Sequence, residues 1–489
     1  MQNRGFIGIN FGTTNTAVVH YQSDELGSRM VHLGEDGQYP FSSIIALPLD
    51  GGPIKFGREV RNRRAELAED HEIISSIKSY LGTNKEFFVG NKSYTAAEIT
   101  TEYLKSVKSY IYEQHGVDIT DAGLAFPIDF SADARQDLMR AAKNAGINIT
   151  RFVSESTAAF FACKTEQSFK NVMVLDWGGG TFDISILGVG ENSLEEIAVY
   201  GEDIGGDDID LEFARRIHTD IANSSGLISP AAFEDMKPKE RDLLVARCER
   251  AKIDISDTDE DHDFTIVDYG DFGDKSLTVS TYVLDSIVEQ MVNQKILRVI
   301  DIALGRAKLT ADSIDSVLII GGCSNLSAYE TIITSYFDSS KIILPKNPAW
   351  ATAEGVAHLQ ATKGSLKLNE TLGVMLCDKT ILPIFAAKKD GVGSSYGPLN
   401  FSLVEDSQYA SFIFAGSSSY VYDRVLVPTK GFLNEEIELQ ASIGDDQVAR
   451  ISITSTFMGD GRANPPKTVE ISNLTFFYDL SGEVEKAYE

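Results

Sequence analysis

The sequence predicts an α/β domain followed by a smaller antiparallel β domain. From residue 1 to about 360, strands rich in Val and Ile alternate with helical stretches, the pattern of sheets covered by helices. After about residue 370 the period changes. Phe412 and Phe414, then Ile437, Leu439, Ala441 and Ile443, alternate with polar residues, and Gly444-Asp445-Asp446 reads as a hairpin turn before Ile451, Ile453 and Phe457. Residues 361–370 carry no strong helical or strand period. The expected organisation is therefore a domain over 1–360, a linker over 361–370 and a β-rich domain over 371–489.

The helices of the first region carry their own boundaries. In Thr95-Ala96-Ala97-Glu98 a capping box precedes Ile99, Tyr103, Leu104, Val107 and Ile111, whose three- and four-residue spacing places them on one face of a helix ending near Gly116. Ser131 caps a second helix, with Leu138, Ala142 and Ala145 on one face and Gly146 as its left-handed stop. A third runs from about Asp285 to Gly305.

Composition narrows the partners. The chain has 489 residues, with 44 Lys and Arg against 72 Asp and Glu, a net charge of −28 that repels phosphate backbones and anionic headgroups. With no local basic patch apparent, neither nucleic acid nor membrane is an expected partner. Cys163, Cys248, Cys323 and Cys377 form no CxxC pair, and the seven histidines form no HExxH cluster, so neither a zinc site nor a disulfide framework is indicated. Met1 to Gly8 has no leader pattern and no run of apolar residues is long enough to span a bilayer, which predicts a cytoplasmic protein.

One pattern occurs twice. Residues 6–18, with Asn10, Gly12, Thr13, Thr14 and Asn15, align with residues 172–184, with Asp176, Gly178, Gly179, Gly180 and Thr181, at a separation of 166 residues. Each copy reads as a strand, an acid or amide, a turn of small residues and a return strand. A turn of Gly and Thr lets main-chain N–H groups and hydroxyls close around phosphate oxygens, because no bulky side chain intervenes. Two such hairpins facing each other can grip a di- or triphosphate. Asp176, at the end of its strand, is placed to hold Mg²⁺ through water, since that ion gives up its own waters reluctantly.

These segments resemble the Hsp70 chaperones of the actin-like ATPase superfamily. Residues 8–15, GINFGTTN, are similar to the family's GIDLGTTNS, and 175–183, LDWGGGTFD, to FDLGGGTFD. Ile204 to Asp210 resembles LGGEDFD, Ser154 to Ala159 (SESTAA) resembles NEPTAA, Cys248 to Lys252 matches CERAK, and Leu318 to Ser324 resembles the adenosine segment LVGGST. The resemblance implies a duplicated, ribonuclease H-like ATPase domain of two lobes, followed by a truncated substrate-binding β domain without the family's helical lid. For that β domain the likeness rests mainly on position and on Leu372-Gly373.

It also implies roles. Glu155 would orient the attacking water, with Asp176 and Asp183 sharing metal and water positioning. Thr13 and Thr181 would bind the γ-phosphate, within turns formed by Gly12, Thr14, Asn15, Gly178, Gly179 and Gly180. Gly205 and Gly206 would lie on the β-phosphate side; Glu249, Lys252 and Ser256 would hold ribose and adenine; Gly321, Gly322 and Cys323 would line the adenosine path. ATP or ADP with Mg²⁺ is the implied ligand, with Asn10 and, through water, Asp176 on the metal side. Implied partners are client polypeptides, a nucleotide exchange factor and a J-domain co-chaperone, the last at Arg151, four residues before Glu155.

Several positions depart from the family pattern. Asn10 replaces a metal-side Asp, which removes a charge beside Mg²⁺, and Arg61 takes the place of the catalytic Lys counted from Gly57, with a broader head group. Ile253 and Asn325 replace the adenine-sandwiching arginines, and Ala349 an Asp. Lys363, Ser365, Lys367 and Asn369 make the linker mostly polar, leaving Leu366 and Leu368. Only Ser481 to Glu489 follow the last strand-like run, too few for a lid. The expectation is an Hsp70-like chaperone with weak ATPase activity. The alternatives are a nucleotide-dependent scaffold or exchange factor with little or no hydrolysis, and a small-molecule kinase or filament protein on the same fold.

Overall fold

The computed structural model describes residues 4–24, 27–35, 39–128, 130–163, 169–362, 364–403, 405–418, 420–430, 435–457 and 462–481. Within the linker, Lys363 lies outside these, as do residues 482–489 of the expected tail. The chain divides into two compact units, one of residues 1–129, 140–188 and 196–361, the other of 130–139, 189–195 and 362–489.

In the first unit, Arg4–Phe11 is the centre of a mixed sheet. It pairs antiparallel with Asn15–Asp24 and parallel with Asp121–Phe126, which pairs in turn with Asn148–Ser154. The helix Ala351–Ala361 packs on this sheet through small residues. A Cβ at Gly8 would collide with the backbone of Ala353 and Ala357, so glycine there sets how closely helix and sheet approach, and one at Gly355 would collide with the backbone of Ala158 on the helix Glu155–Ala162. A second sheet has Asn171–Trp177 at its centre, antiparallel to Phe182–Val189 and parallel to Ser316–Ile320, whose five residues are all buried. Its core includes Trp177, Phe182, Phe213, Leu244 and Tyr329.

The predicted helix boundaries appear at the capping residues. Ala96–His115 begins with reciprocal bonds: the Glu98 N–H donates to Thr95 Oγ1 (3.3 Å) and the Thr95 N–H to Glu98 Oε2 (2.8 Å). It ends at Gly116, whose φ of 66° is the left-handed stop. Ser131 Oγ accepts the Ala134 N–H (3.1 Å) at the start of Ala132–Asn144. The third helix is not one regular helix. Thr281–Met291 and Leu297–Ala307 are joined by a π-helical segment, Val292–Ile296, whose wider turn lets Met291, Val292 and Ile296 all stay buried on the core side.

From residue 364 on, the second unit is antiparallel β. One sheet runs Ile381–Phe385, Leu372–Met375, Tyr409–Gly416, Val421–Pro428; another runs Ser395–Ser402, Glu435–Ile443, Ala449–Phe457, with Lys467–Ile471 beside the last. Phe412, Phe414, Ile437, Leu439 and Ile443 are core residues, as their alternation requires. The predicted hairpin turn closes with the Gly444 N–H bonded to Val448 O (3.0 Å). The linker differs from its sequence pattern. Ser365–Leu368 is a strand, paired antiparallel with Phe476–Asp479. Its order comes from the partner strand, with Leu368 buried and Lys367 salt-bridged to Asp479 at 3.2 Å, and not from any period of its own.

Candidate functional site

The two repeated segments are antiparallel hairpins with the same turn. The Gly12 N–H donates to Asn15 O (3.0 Å) and the Gly178 N–H to Thr181 O (2.9 Å). The turns approach each other closely: a Cβ on Gly179 would collide with the Thr14 side chain, and one on Gly180 would lie 3.3 Å from Thr13 Cγ2. Gly205 lies against the Gly179 backbone, and the N–H groups of Gly206 and Asp207 donate to Gly178 O (3.0 Å) and Gly179 O (2.7 Å). The glycines thus bring three backbone segments together where a side chain would hold them apart. Asp208 is a helix cap, its carboxylate accepting the Gly205 N–H at 2.8 Å.

Beneath the second turn, Glu155, Asp176 and Asp183 line a cavity of about 20 Å³, room for a single water, together with Pro127, Ile128, Ser156, Val174 and Ser185. Burial, and then repulsion from Glu155 and Asp183, push the Asp176 carboxyl up to about 8, against the pull of Lys78. Thr181 Oγ1 donates to Asp183 Oδ2 at 2.8 Å. Glu155 opens the helix Glu155–Ala162 and is paired with Lys78, Nζ to Oε1 2.5 Å, both side chains being buried or nearly so (6% and 14% exposed). A Cβ at Gly321, where φ is +87°, would lie 2.6 Å from Asp176 Oδ1, so only glycine admits the carboxylate there.

The remaining residues flank these. A cavity of about 730 Å³ is lined by Thr13, Thr14, Arg61, Asp207, Asp210 and Glu249 among others, a volume within the range of small-molecule sites. Arg61 is ion-paired with Glu249, its Nε also 3.1 Å from Glu249 Oε2, and its NH1 is 3.3 Å from Ser42 Oγ. Lys252 donates to Asp210 Oδ2 (2.8 Å) and Gly206 O (3.0 Å), while Ser256 Oγ bonds back to Lys252 O (2.7 Å). Cys323 donates to Gly178 O (3.3 Å), and burial pushes its thiol up to about 12. Gly322 and Asn325 bound a short 3₁₀ turn, and Ile253 is 37% exposed. Arg151 lies on the strand Asn148–Ser154, opposite Gly123.

A buried amide oxygen and a buried hydroxyl test the fit to a nucleotide and its metal, the first as an acceptor on the metal side and the second as a donor to phosphate. Asn10 Oδ1 and Thr14 Oγ1, in the first hairpin, are enclosed with no hydrogen-bond partner among the described residues. An oxygen left so is costly unless a ligand or ion answers it. The residues present therefore fit a phosphate chain with Mg²⁺.

The sequence reading did not single out Lys78 or Glu196. Lys78 stands in the short helix Ile77–Tyr80, after Ser76 at φ 53°, and a lone lysine there has no recognisable pattern. Glu196 had a signal, since strand alternation places it on the same face as the buried Leu194 and Ala198. Ser154, Ser156 and Thr157 all donate to its Oε1, the latter two at 2.8 and 3.2 Å.

Comparisons with known proteins identify the family. Proteins named Chaperone protein DnaK are similar to the chain: that of Mycoplasmopsis agalactiae is 27% identical over 464 residues, covering 92% of this chain and 73% of the relative. Those of Thermotoga petrophila and Thermotoga neapolitana are each 27% identical over 489 residues, covering 98% of this chain and 77% of the relative. The family described as Hsp70 protein, whose members bind ATP or ADP with Mg²⁺ and act on client polypeptides with co-chaperones, matches residues 57–395. That match spans more than half of the chain and takes in the acid cluster, the second glycine turn and the Gly321 segment, so the protein belongs to the Hsp70 family and is an Hsp70-like chaperone.

Proposed function

We propose that ATP binds between the two glycine turns and is hydrolysed slowly, with closure of two duplicated lobes around it regulating a β domain that holds client polypeptide. The observation that carries this is the pair of matching turns abutting above Glu155, Asp176 and Asp183. Main-chain N–H groups of residues 13–15 and 179–181, with the hydroxyls of Thr13, Thr14 and Thr181, grip the phosphates. Asn10 and, through water, Asp176 would hold Mg²⁺, which when bound would supply neutralisation of phosphate charge. Glu155 orients the attacking water while Lys78 holds its carboxylate in place; Asp183 holds Thr181. Such a set suffices, because in-line transfer to water needs positioning and charge neutralisation above all. Glu249, Lys252 and Ser256 face the ribose and base, with Gly321, Gly322 and Cys323 along the adenosine. The working division is 1–360 for the ATPase, 361–370 for the linker and 371–489 for the client domain, in the cytoplasm, with a J-domain received at Arg151 and an exchange factor releasing ADP.

Single-turnover hydrolysis of Mg²⁺-ATP by the wild type and Asp176→Ala tests the reading, together with the melting temperature with and without Mg²⁺-ATP, which rises if the ligand binds the folded state. No shift at millimolar nucleotide with a well-folded chain would remove the nucleotide site. A shift without turnover favours a second reading, a nucleotide-dependent scaffold. The observation on its side is that Arg61 is engaged by Glu249 and Ser42.

A further inference from the structure

Glu155 sits between two residues, Ser154 and Ser156, whose hydroxyls end on the same atom. Ser154 closes the strand Asn148–Ser154 and caps the helix Glu155–Ala162, its Oγ accepting the Thr157 N–H at 3.3 Å while donating to Glu196 Oε1. Ser156 and Thr157 add their own hydroxyls to that oxygen. Three donors from four consecutive residues thus converge on one carboxylate oxygen from another strand, and the residue between the first two is the proposed water-orienting acid. Its flanks are fixed on both sides.

Stability alone gives little reason for this arrangement. Burial raises the Glu196 carboxyl above its usual range, and the three hydroxyls only partly counter that. A polar cluster of this kind is often no more stable than an apolar one of the same shape. The two positions at which SESTAA departs from the family's NEPTAA, Ser154 and Ser156, are the two that bracket Glu155 and reach Glu196. The departures belong together with this acid.

We propose that Glu196 is a positioning residue that sets the direction of Glu155 through Ser154, Ser156 and Thr157, an inference that rests on the ATPase reading above. Lys78 grips the carboxylate of Glu155, and Glu196 grips the backbone that carries it.

The test compares wild type, Glu155→Ala, Glu196→Ala, Glu196→Gln and Ser156→Ala by three readouts: single-turnover hydrolysis of Mg²⁺-ATP, the melting shift with Mg²⁺-ADP, and amide exchange of Thr157 in the nucleotide-free protein. Glu196→Ala is expected to slow the chemical step about tenfold or more, because small misplacements of a positioned group are costly, while leaving the ADP shift unchanged. Its Thr157 amide should exchange about tenfold faster as the first turn loosens. Glu196→Gln keeps an acceptor oxygen and should stay within about threefold of wild type in both readouts. Should Glu196→Ala not fold, Ser156→Ala decides by the same two readouts, with a loss of about threefold expected. Unchanged turnover in the alanine variants, with or without faster exchange, leaves the contact structural and overturns the positioning role. A wild type no faster than Glu155→Ala removes the ATPase reading instead, and Thr157 exchange alone then decides whether Glu196 holds this segment, unaltered protection in Glu196→Ala defeating it.

Discussion

The first glycine turn and the second share a backbone and differ in their surroundings. Each closes through a hydrogen bond across the corresponding four residues, yet the first strand carries next to its end Asn10, whose Oδ1 has no partner among the described residues, while the second carries there Asp176, crowded by Glu155 and Asp183 and relieved by Lys78. The glycines differ as well. A Cβ on Gly12 would collide with Asn15 O, whereas one on Gly178 would lie 3.6 Å from Thr181 O, an ordinary contact. A repeated turn therefore repeats a shape without repeating a charge. The shape is local, and the charge depends on what the rest of the fold brings to the strand end.

The largest expected effect separates the two strand ends. Asp176→Ala should slow single-turnover ATP hydrolysis by about 100-fold or more, as loss of a group aimed at developing charge does, while Asn10→Ala should cost less than about tenfold. Equal losses would mean that the two turns contribute alike and that the asymmetry of charge has no bearing on the chemistry.

A smaller difference concerns the glycines themselves. Gly12→Ala should destabilise the protein by about 2 kcal/mol, since its Cβ meets backbone that cannot swing aside, and Gly178→Ala by less than about 1 kcal/mol. Denaturant midpoints of the two variants check this. A Gly178→Ala variant as unstable as Gly12→Ala would show that the second turn is tighter than its geometry indicates.

The third contrast is in pH. An unfolded Asp ionises near about 3.9, whereas buried Asp176, crowded by Glu155 and Asp183, is pushed up to about 8. Between those values the folded state holds a proton that the unfolded chain has released. Stability from this group is thus highest below about pH 4 and falls as pH rises towards 8. In Mg²⁺-free protein, Asp176→Asn should remove that fall, raising the melting temperature above wild type by about 2–4 °C at pH 8 and leaving it unchanged near pH 4. Parallel curves for the two proteins would mean that Asp176 ionises as an ordinary carboxylate.

The smallest effect runs the other way. Asn10→Asp places a second charge near the proposed metal and should raise Mg²⁺ affinity in the nucleotide complex about threefold to tenfold, read from the Mg²⁺ dependence of the melting shift. An unaltered dependence would place the Asn10 oxygen away from the ion.

Glycine turns, capping residues and strand alternation were legible in the sequence because each acts within a few residues: Thr95 and Glu98 announce a helix start, Gly116 its end, and Ile437 to Ile443 a half-buried strand. The strand at Ser365–Leu368 was not legible, since its hydrogen bonds come from Phe476–Asp479, more than a hundred residues along the chain. The same holds in the site. Lys78 reaches Glu155 across 77 positions, Ser156 reaches Glu196 across 40, and Arg61 meets Glu249 across 188. By itself the sequence determined where the chain turns and which residues face inward, because dihedral preference and hydrophobic period are properties of neighbours. Only the tertiary structure decided which charges meet, because an ion pair or a shared carboxylate depends on distances that no local pattern encodes.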